Sequence, residues 1–216
     1  MKTTRTILSV LVASAASFLL CASTSQAAEG DWRVHLGLWT VSPDLDLIGD
    51  DGARVESDDG GGLRLGVSRQ IHRRWSVAAE IGLATPELQA TLPMDGGSVR
   101  LGNDLNTLPI TVGLDWHLTP AKRFDLFLGA RLAYVHYGSF TLQQALLGRQ
   151  EFDTDDELGW SVLAGLDVPF GTGPWSLLAV LGYLDADVLF YHRGAGALAT
   201  LELDPTYVSV GVGYRF

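Results

Sequence analysis

The chain is 216 residues long, 47% apolar and only 19% charged, with a formal net charge of −10 and a single cysteine. That composition excludes a disordered polar chain and a disulfide-stapled scaffold. The acidic balance argues against nucleic-acid binding, which needs a basic face.

Lys2 and Arg5 precede an uncharged stretch from Thr6 to Ala28, and Ile7 to Leu20 is largely apolar. Ser25-Gln26-Ala27 then offers small residues at the two cleavage-determining positions. This reads as a secretory signal peptide over residues 1–27, cut after Ala27. Cys21 follows Leu20, where a lipoprotein signal wants Gly or Ala, so lipidation is not expected. Without Cys21 the mature chain has no disulfide.

After the leader, apolar and polar residues alternate with period two, the mark of strands with one apolar face. Trp32, Val34, Leu36 and Leu38 oppose Arg33, His35 and Gly37. Leu63, Leu65 and Val67 oppose Arg64, Gly66 and Ser68. Trp75, Val77, Ala79, Ile81 and Leu83 oppose Ser76, Ala78, Glu80 and Gly82. Leu108, Ile110, Val112, Leu114 and Trp116 oppose Thr111, Gly113, Asp115 and His117. A fifth apolar face runs from Phe124 to Tyr134 and a sixth from Leu158 to Phe170. The sixth includes Val168 among its outward residues. The seventh runs from Trp175 to Tyr183 and the eighth from Val208 to Phe216. The longest uncharged stretch after the signal, Val168 to Leu184, is broken by the turn signal Gly171-Thr172-Gly173-Pro174, so no transmembrane helix is expected.

The connections alternate in length. Gln70–Arg74, Thr119–Arg123 and Gly171–Pro174 are short. Ser42–Gly61, Pro86–Asn106, Gly138–Asp156 and Ala186–Leu203 are long and read as loops. Eight strands with short turns at one end and long loops at the other predict an antiparallel up-and-down transmembrane β-barrel over residues 28–216. Trp32, Trp75, Trp116, Phe124, Phe170, Trp175, Tyr214 and Phe216 all stand at the turn end on the apolar parity. That is an outward aromatic girdle, placed where amphipathic rings favour the membrane interface. Trp160, Tyr134 and Tyr183 are candidates for the opposite rim.

Several segments carry a family likeness. They are Trp32 through Thr40-Val41-Ser42-Pro43, then Ala84-Thr85-Pro86, Leu108-Pro109 and Tyr183-Leu184-Asp185-Ala186-Asp187. Leu203-Asp204-Pro205 and the terminal Gly213-Tyr214-Arg215-Phe216 complete the set. In order and spacing they resemble the outer-membrane protein W (OmpW) family of Gram-negative bacteria. The resemblance implies an eight-stranded barrel in the bacterial outer membrane that passes small hydrophobic molecules.

The interior of an eight-stranded barrel is just wide enough for side chains to fill it, or to hold one small ligand. Its inward residues therefore decide what it can do. Near the turn end they are polar, and Arg33, Glu80, Asp115, Arg131 and Asp167 are expected to pair as a plug, because lone buried ions are costly. Glu80 and Arg131 lie further up than the other three. Near the loop end the same parity turns apolar. Trp39, Val41, Val135, Tyr137, Leu163, Val180, Leu184 and Tyr207 are the expected path of a hydrophobic solute. Phe127 and Leu178 fit neither zone. Pro43, Pro86 and Pro109 read as strand ends where the wall could open, since proline gives no ladder hydrogen bond.

Ser42–Gly61 carries seven acids and Arg54 as its one base, a composition that suits divalent cations between loop carboxylates and lipopolysaccharide phosphates. No resident metal or other cofactor is expected. A hydrolase would need a nucleophile and a base within reach. His136 and Ser139 are nearest in sequence but fall on opposite faces, so no enzymatic activity is expected. Lipopolysaccharide, outer-membrane lipid, a small hydrophobic solute and, during insertion, the barrel-assembly machinery are the expected partners. The alternative function is a non-transporting structural barrel or a phage or bacteriocin receptor acting through its loops.

Overall fold

The computed structural model describes residues 29–43, 46–48, 54–94, 97–120, 123–138, 140–144, 148–170, 173–192 and 196–216. The expected signal peptide lies outside them. Eight strands form the wall: β1 (Trp32–Ser42), β3 (Arg54–His72), β4 (Trp75–Met94), β6 (Thr107–His117), β7 (Asp125–Tyr137), β10 (Glu157–Pro169), β11 (Trp175–Asp185) and β14 (Thr206–Arg215). Each pairs antiparallel with the next. β1 closes the ring by pairing with β14 from Arg33↔Arg215 to Ser42↔Thr206. Closure leaves these strands no unpaired edge, which the hydrocarbon layer demands because it offers backbone groups no water. Among the described residues no helix is long and apolar enough to cross a membrane.

The alternation in sequence sets which way each side chain points. β1 and β7 alternate between exposed and buried residues, the exposed ones being apolar except Thr40 and His136 near the loop end. Leu36, Leu38, Leu132 and Leu158 are all more than half exposed, while charged residues such as Arg33, Arg64, Glu80, Arg131 and Asp167 are buried beside apolar ones. This inversion of a soluble fold is stable only with a lipid solvent outside. The girdle rings pair along the turn end. Trp75 stacks on Trp116 at 6.3 Å, and Trp175 meets Tyr214 edge-on at 4.9 Å. At the loop end Trp160 and Tyr183 lie 5.6 Å apart.

Three expectations need correction. The long connections are not plain loops. β2 (Asp46–Ile48) and β5 (Gly97–Asp104) extend the wall beside β3 and β4. β8 (Phe140–Gln144), β9 (Gly148–Thr154), β12 (Asp187–His192) and β13 (Gly196–Glu202) form a separate four-stranded sheet. β3 has 19 residues and β4 has 20, against about 10 needed to cross the hydrocarbon layer. Beyond the membrane neither face of a strand meets lipid. The ladder therefore continues without the alternation that would announce it. Second, Pro86 and Pro109 lie inside β4 and β6, not at strand ends. Third, Val168 keeps the outward parity, pairing with Leu177, but is covered and not exposed, as are Asp167 and Pro169 on either side of it at the end of β10.

Candidate functional site

The charged lumen forms two clusters. Near the turn end, Arg33 donates to Asp167 at 2.5 Å from Nη1 and to Ser68 at 3.3 Å from Nε. Arg215 reaches the same Asp167 oxygen at 3.1 Å. At mid-height, Glu80 is the hub. Arg64 Nε donates to its Oε2 at 2.6 Å, Arg131 Nη1 pairs with its Oε1, and His35 Nε2 lies 3.3 Å from that same oxygen. Arg131 then continues to both oxygens of Asp115 at 2.9 and 3.2 Å. All of these side chains except Arg215 are buried. Such charges are tolerable away from water only because each meets an opposite one in good geometry.

All five residues expected in the plug are thus paired, in two groups instead of one. Arg64 was not among them, although it stands on the inward parity of its strand between Gly62 and Gly66. Phe127, which fits neither zone, packs against the turn-end cluster. Its ring lies 5.7 Å from the Arg33 guanidinium and 5.8 Å from His117. A Cβ on Gly165 would fall 2.0 Å from that ring, so this inward glycine makes room for it.

Above Glu80 the lumen changes character at one layer. Arg64 lies over the ring of Tyr207, and Trp39 meets the same ring edge-on at 5.6 Å and 70°. Trp39 Nε1 donates to the Leu83 carbonyl at 2.8 Å, so the indole is pinned to the wall. A Cβ on Gly62 or Gly82 would strike this indole, and one on Gly182 would strike the Tyr207 ring. Large rings can therefore stand in a narrow tube because the facing positions are glycine.

Over that layer is an apolar recess, an unfilled space of about 390 Å³ counted with its opening to solvent. Trp39, Val41, Tyr137, Leu184 and Tyr207, all expected on the path, line it. Ala84, Leu203, four prolines (Pro43, Pro86, Pro109 and Pro205) and Thr107, its one hydroxyl-bearing residue besides the two tyrosines, complete it. Val135 pairs with Pro109 in the wall. Leu163 and Val180 do not reach the recess. Leu163 lies lower, where a Cβ on Gly129 would touch both it and Asp115, and Val180 pairs with Gly165 near Phe127. Counting parity along β10 and β11 gave their direction but not their height in the barrel.

The wall beside the recess has a missing stretch of ladder. β4 and β6 pair at Ile81↔Ile110 and again at Ala84↔Thr107, but not between. The register puts Pro109 opposite Gly82 there, and proline has no N–H to donate. Below Trp39 and Tyr207 a second space of about 320 Å³, again counted with its opening, has Arg64, Glu80, Thr111 and Ser161 as its polar lining.

Two further groups bear on the expectations. Ser76 Oγ and His117 Nε2 lie 2.9 Å apart, and His117 Nδ1 lies 2.5 Å from Asp125 Oδ2. That is the hydrogen-bond order of a nucleophile, base and orienting acid, on residues separated by up to 49 positions in sequence. Ser76 is 1% exposed, so its hydroxyl is packed away from the turn-end recess that His117 and Asp125 line. At the outer rim His136 Nδ1 lies 2.5 Å from Asp156, and the Tyr134 hydroxyl donates to the same carboxylate. These contacts hold Asp156 below the usual aspartate range, the Tyr134 hydrogen bond being the larger cause. Ser139, and the loop acids Asp44, Asp50 and Asp51, lie outside the described residues. Among the described residues no group of three or more His, Cys, Asp or Glu is placed to hold a metal ion.

A family profile described as the outer membrane protein beta-barrel domain matches residues 12–216. Comparison with curated protein sequences finds no significant match. Among solved structures, the crystal structure of the outer membrane protein OprG from Pseudomonas aeruginosa superposes with a TM-score of 0.70 at 20% identity, covering 90% of this chain and 99% of that one. The solid-state NMR structure of AlkL in lipid bilayers gives 0.60 at 20% identity, covering 90% and 94%. The solution structure of the E. coli outer membrane protein W gives 0.51 at 20% identity, covering 87% and 98%. The shared fold is the one the sequence resemblance implied.

Proposed function

Because the chain belongs to the outer membrane protein beta-barrel domain family and so resides in the bacterial outer membrane, we propose that it conducts small hydrophobic molecules inward from the cell exterior. The solute enters the apolar recess from the loop end and comes to rest on Trp39 and Tyr207. The paired charges beneath close the periplasmic half to it. It therefore leaves sideways into the bilayer through the wall at Pro109. Chemistry favours that exit, since burying an alkyl chain among the ion pairs would separate charges that need each other. The observation that carries the reading is the abrupt change, at one layer of the lumen, from an apolar recess to a network of ion pairs.

The test is uptake of an alkane into vesicles carrying the purified protein. Trp39→Lys and Leu184→Lys each place a charge in the recess and are expected to reduce uptake at least tenfold, with folding checked by the heat-modified gel shift of the barrel. Unchanged uptake in both variants overturns the reading. The second reading, a structural barrel or phage or bacteriocin receptor, draws on the four-stranded outer sheet, an ordered surface beyond what a conduit needs. Loss of adsorption on loop replacement with uptake intact would favour it. We further propose that the protein is not an enzyme. Lipopolysaccharide around the barrel and the assembly machinery at insertion remain its proposed partners.

A further inference from the structure

The polar lining of the lower space deepens the reading above, on which it rests. Arg64 is buried at 4% exposure, and its Nε and Nη2 both serve Glu80. Its Nη1 is enclosed and has no hydrogen-bond partner. The Thr111 hydroxyl is likewise enclosed and without a partner. Both residues line the space beneath Trp39 and Tyr207. That space and the apolar recess share Trp39, Pro109, Leu184 and Tyr207 as walls, so the two adjoin. Enclosed donors left unused cost free energy, and a ligand oxygen that takes them recovers it.

The charge of that oxygen follows from its surroundings. Arg64 and Arg131 are matched one for one by Glu80 and Asp115, so these four charges already cancel. A carboxylate added here would be a buried ion with no free counter-charge. An uncharged oxygen adds none. We propose that the site selects an oxygenated hydrocarbon with an uncharged head, an alcohol or a carbonyl compound. Its oxygen accepts from Arg64 Nη1 and Thr111 Oγ1, and its alkyl chain lies in the recess between Tyr207 and the prolines. Trp39 and Tyr207 then flank the junction of head and tail.

The Trp39 indole N–H resonance, followed by NMR with the full barrel in lipid nanodiscs, reports occupancy. Octane, octanol and octanoate are titrated and compared at equal mole fraction in the bilayer. Octanol is expected to bind on the order of tenfold more tightly than octane, the worth of a hydrogen bond to a charged donor, and octanoate more weakly than octanol. Thr111→Val removes one donor. Arg64→Lys keeps the charge beside Glu80 but removes Nη1. Each is expected to lower the preference for octanol over octane several-fold. Equal affinity for octane and octanol, or a preference untouched by both substitutions, overturns the inference and leaves the hydrophobic path standing. Octanoate binding as tightly as octanol overturns the assignment of an uncharged head. No shift with any probe overturns both the inference and the reading beneath it.

Discussion

The guanidinium of Arg64 lies over the ring of Tyr207, 5.4 Å from its centroid. One side chain thus ties the ionic network to the floor of the apolar recess, because the same guanidinium holds Glu80. Arg64→Met removes both ties. Glu80 retains Arg131 and His35 but loses its two-point partner, and breaking a buried pair from one side costs about 3–5 kcal/mol. The expected outcome is a lower urea midpoint for barrel unfolding, with Tyr207 released from its position. Arg64→Lys is expected to recover part of the stability, since it restores charge without the fork geometry.

Gly82 faces the Trp39 indole so closely that a Cβ would lie 2.6 Å from the ring and 3.2 Å from Pro109 Cγ. Gly82→Ala is therefore expected to displace the indole and break its 2.8 Å bond to the Leu83 carbonyl. Overpacking of this kind costs about 1–3 kcal/mol. The Trp39 indole N–H resonance checks it, by moving toward the value of an unbonded indole. Gly61→Ala is the control. Its Cβ would meet nothing within 4 Å, and it is expected to leave that resonance in place.

These two sites show what a linear chain can reveal. Trp39 and Arg64 lie on inward parities, and period-two alternation fixes that from sequence alone. Parity also gave the eight wall strands and the aromatic girdle, since lipid on one side and packing on the other impose opposite chemistry on alternate residues. Height along the axis was not legible, because it depends on the stagger of each strand against its neighbours. Leu163 was placed in the recess for that reason, yet it lies beside Asp115 and Gly129. Arg64 stands on the inward face with Gly66 and Ser68, and nothing local in the sequence pairs it with Glu80 on the neighbouring strand, although an inward arginine demands a buried acid. The outer strands were invisible because water on both faces removes the pattern.

Ser76, His117 and Asp125 have the hydrogen-bond order of a hydrolytic triad, but geometry between side chains does not make a nucleophile. The Ser76 hydroxyl is enclosed by the lumen, and a serine that cannot meet an ester cannot attack it. A fluorophosphonate ester applied to the folded protein in detergent is expected to leave Ser76 unmodified by mass spectrometry. Lipid A from cells with and without the protein is expected to have the same mass spectrum. Stoichiometric labelling of Ser76 would make the turn-end recess an active site.

Asp156 joins the rim of β7 to the start of β10 through Tyr134 and His136. Its carboxyl is held below the usual aspartate range, so the folded contact favours the ionised form. The contribution is fully present above the unfolded aspartate pKa and is lost as pH falls through the lowered folded value. Both partners are exposed, so the effect is local and falls with salt. The protection factors of amides in the segment before Glu157, corrected for intrinsic exchange, are expected to fall on acidification in the wild type. In Asp156→Asn they are expected to be low already at neutral pH and insensitive to that change.

Pro109 offers the sharpest test of a sideways exit. The ladder between β4 and β6 is intact at Ile81↔Ile110 and at Ala84↔Thr107, and the register between them is unbroken. The strands are therefore already aligned for pairing, and the missing donor is what keeps Gly82 from its partner. Pro109→Val supplies the N–H and a β-branched side chain suited to a strand. The rung then forms, the wall closes beside the recess, and the barrel gains roughly one net hydrogen bond, about 1 kcal/mol. Uptake of an alkane is expected to fall at least tenfold while the urea midpoint rises. The two changes point in opposite directions, which separates a closed exit from a damaged barrel. If uptake persists in a demonstrably closed wall, with the amide of residue 109 protected from exchange, the solute leaves by another route.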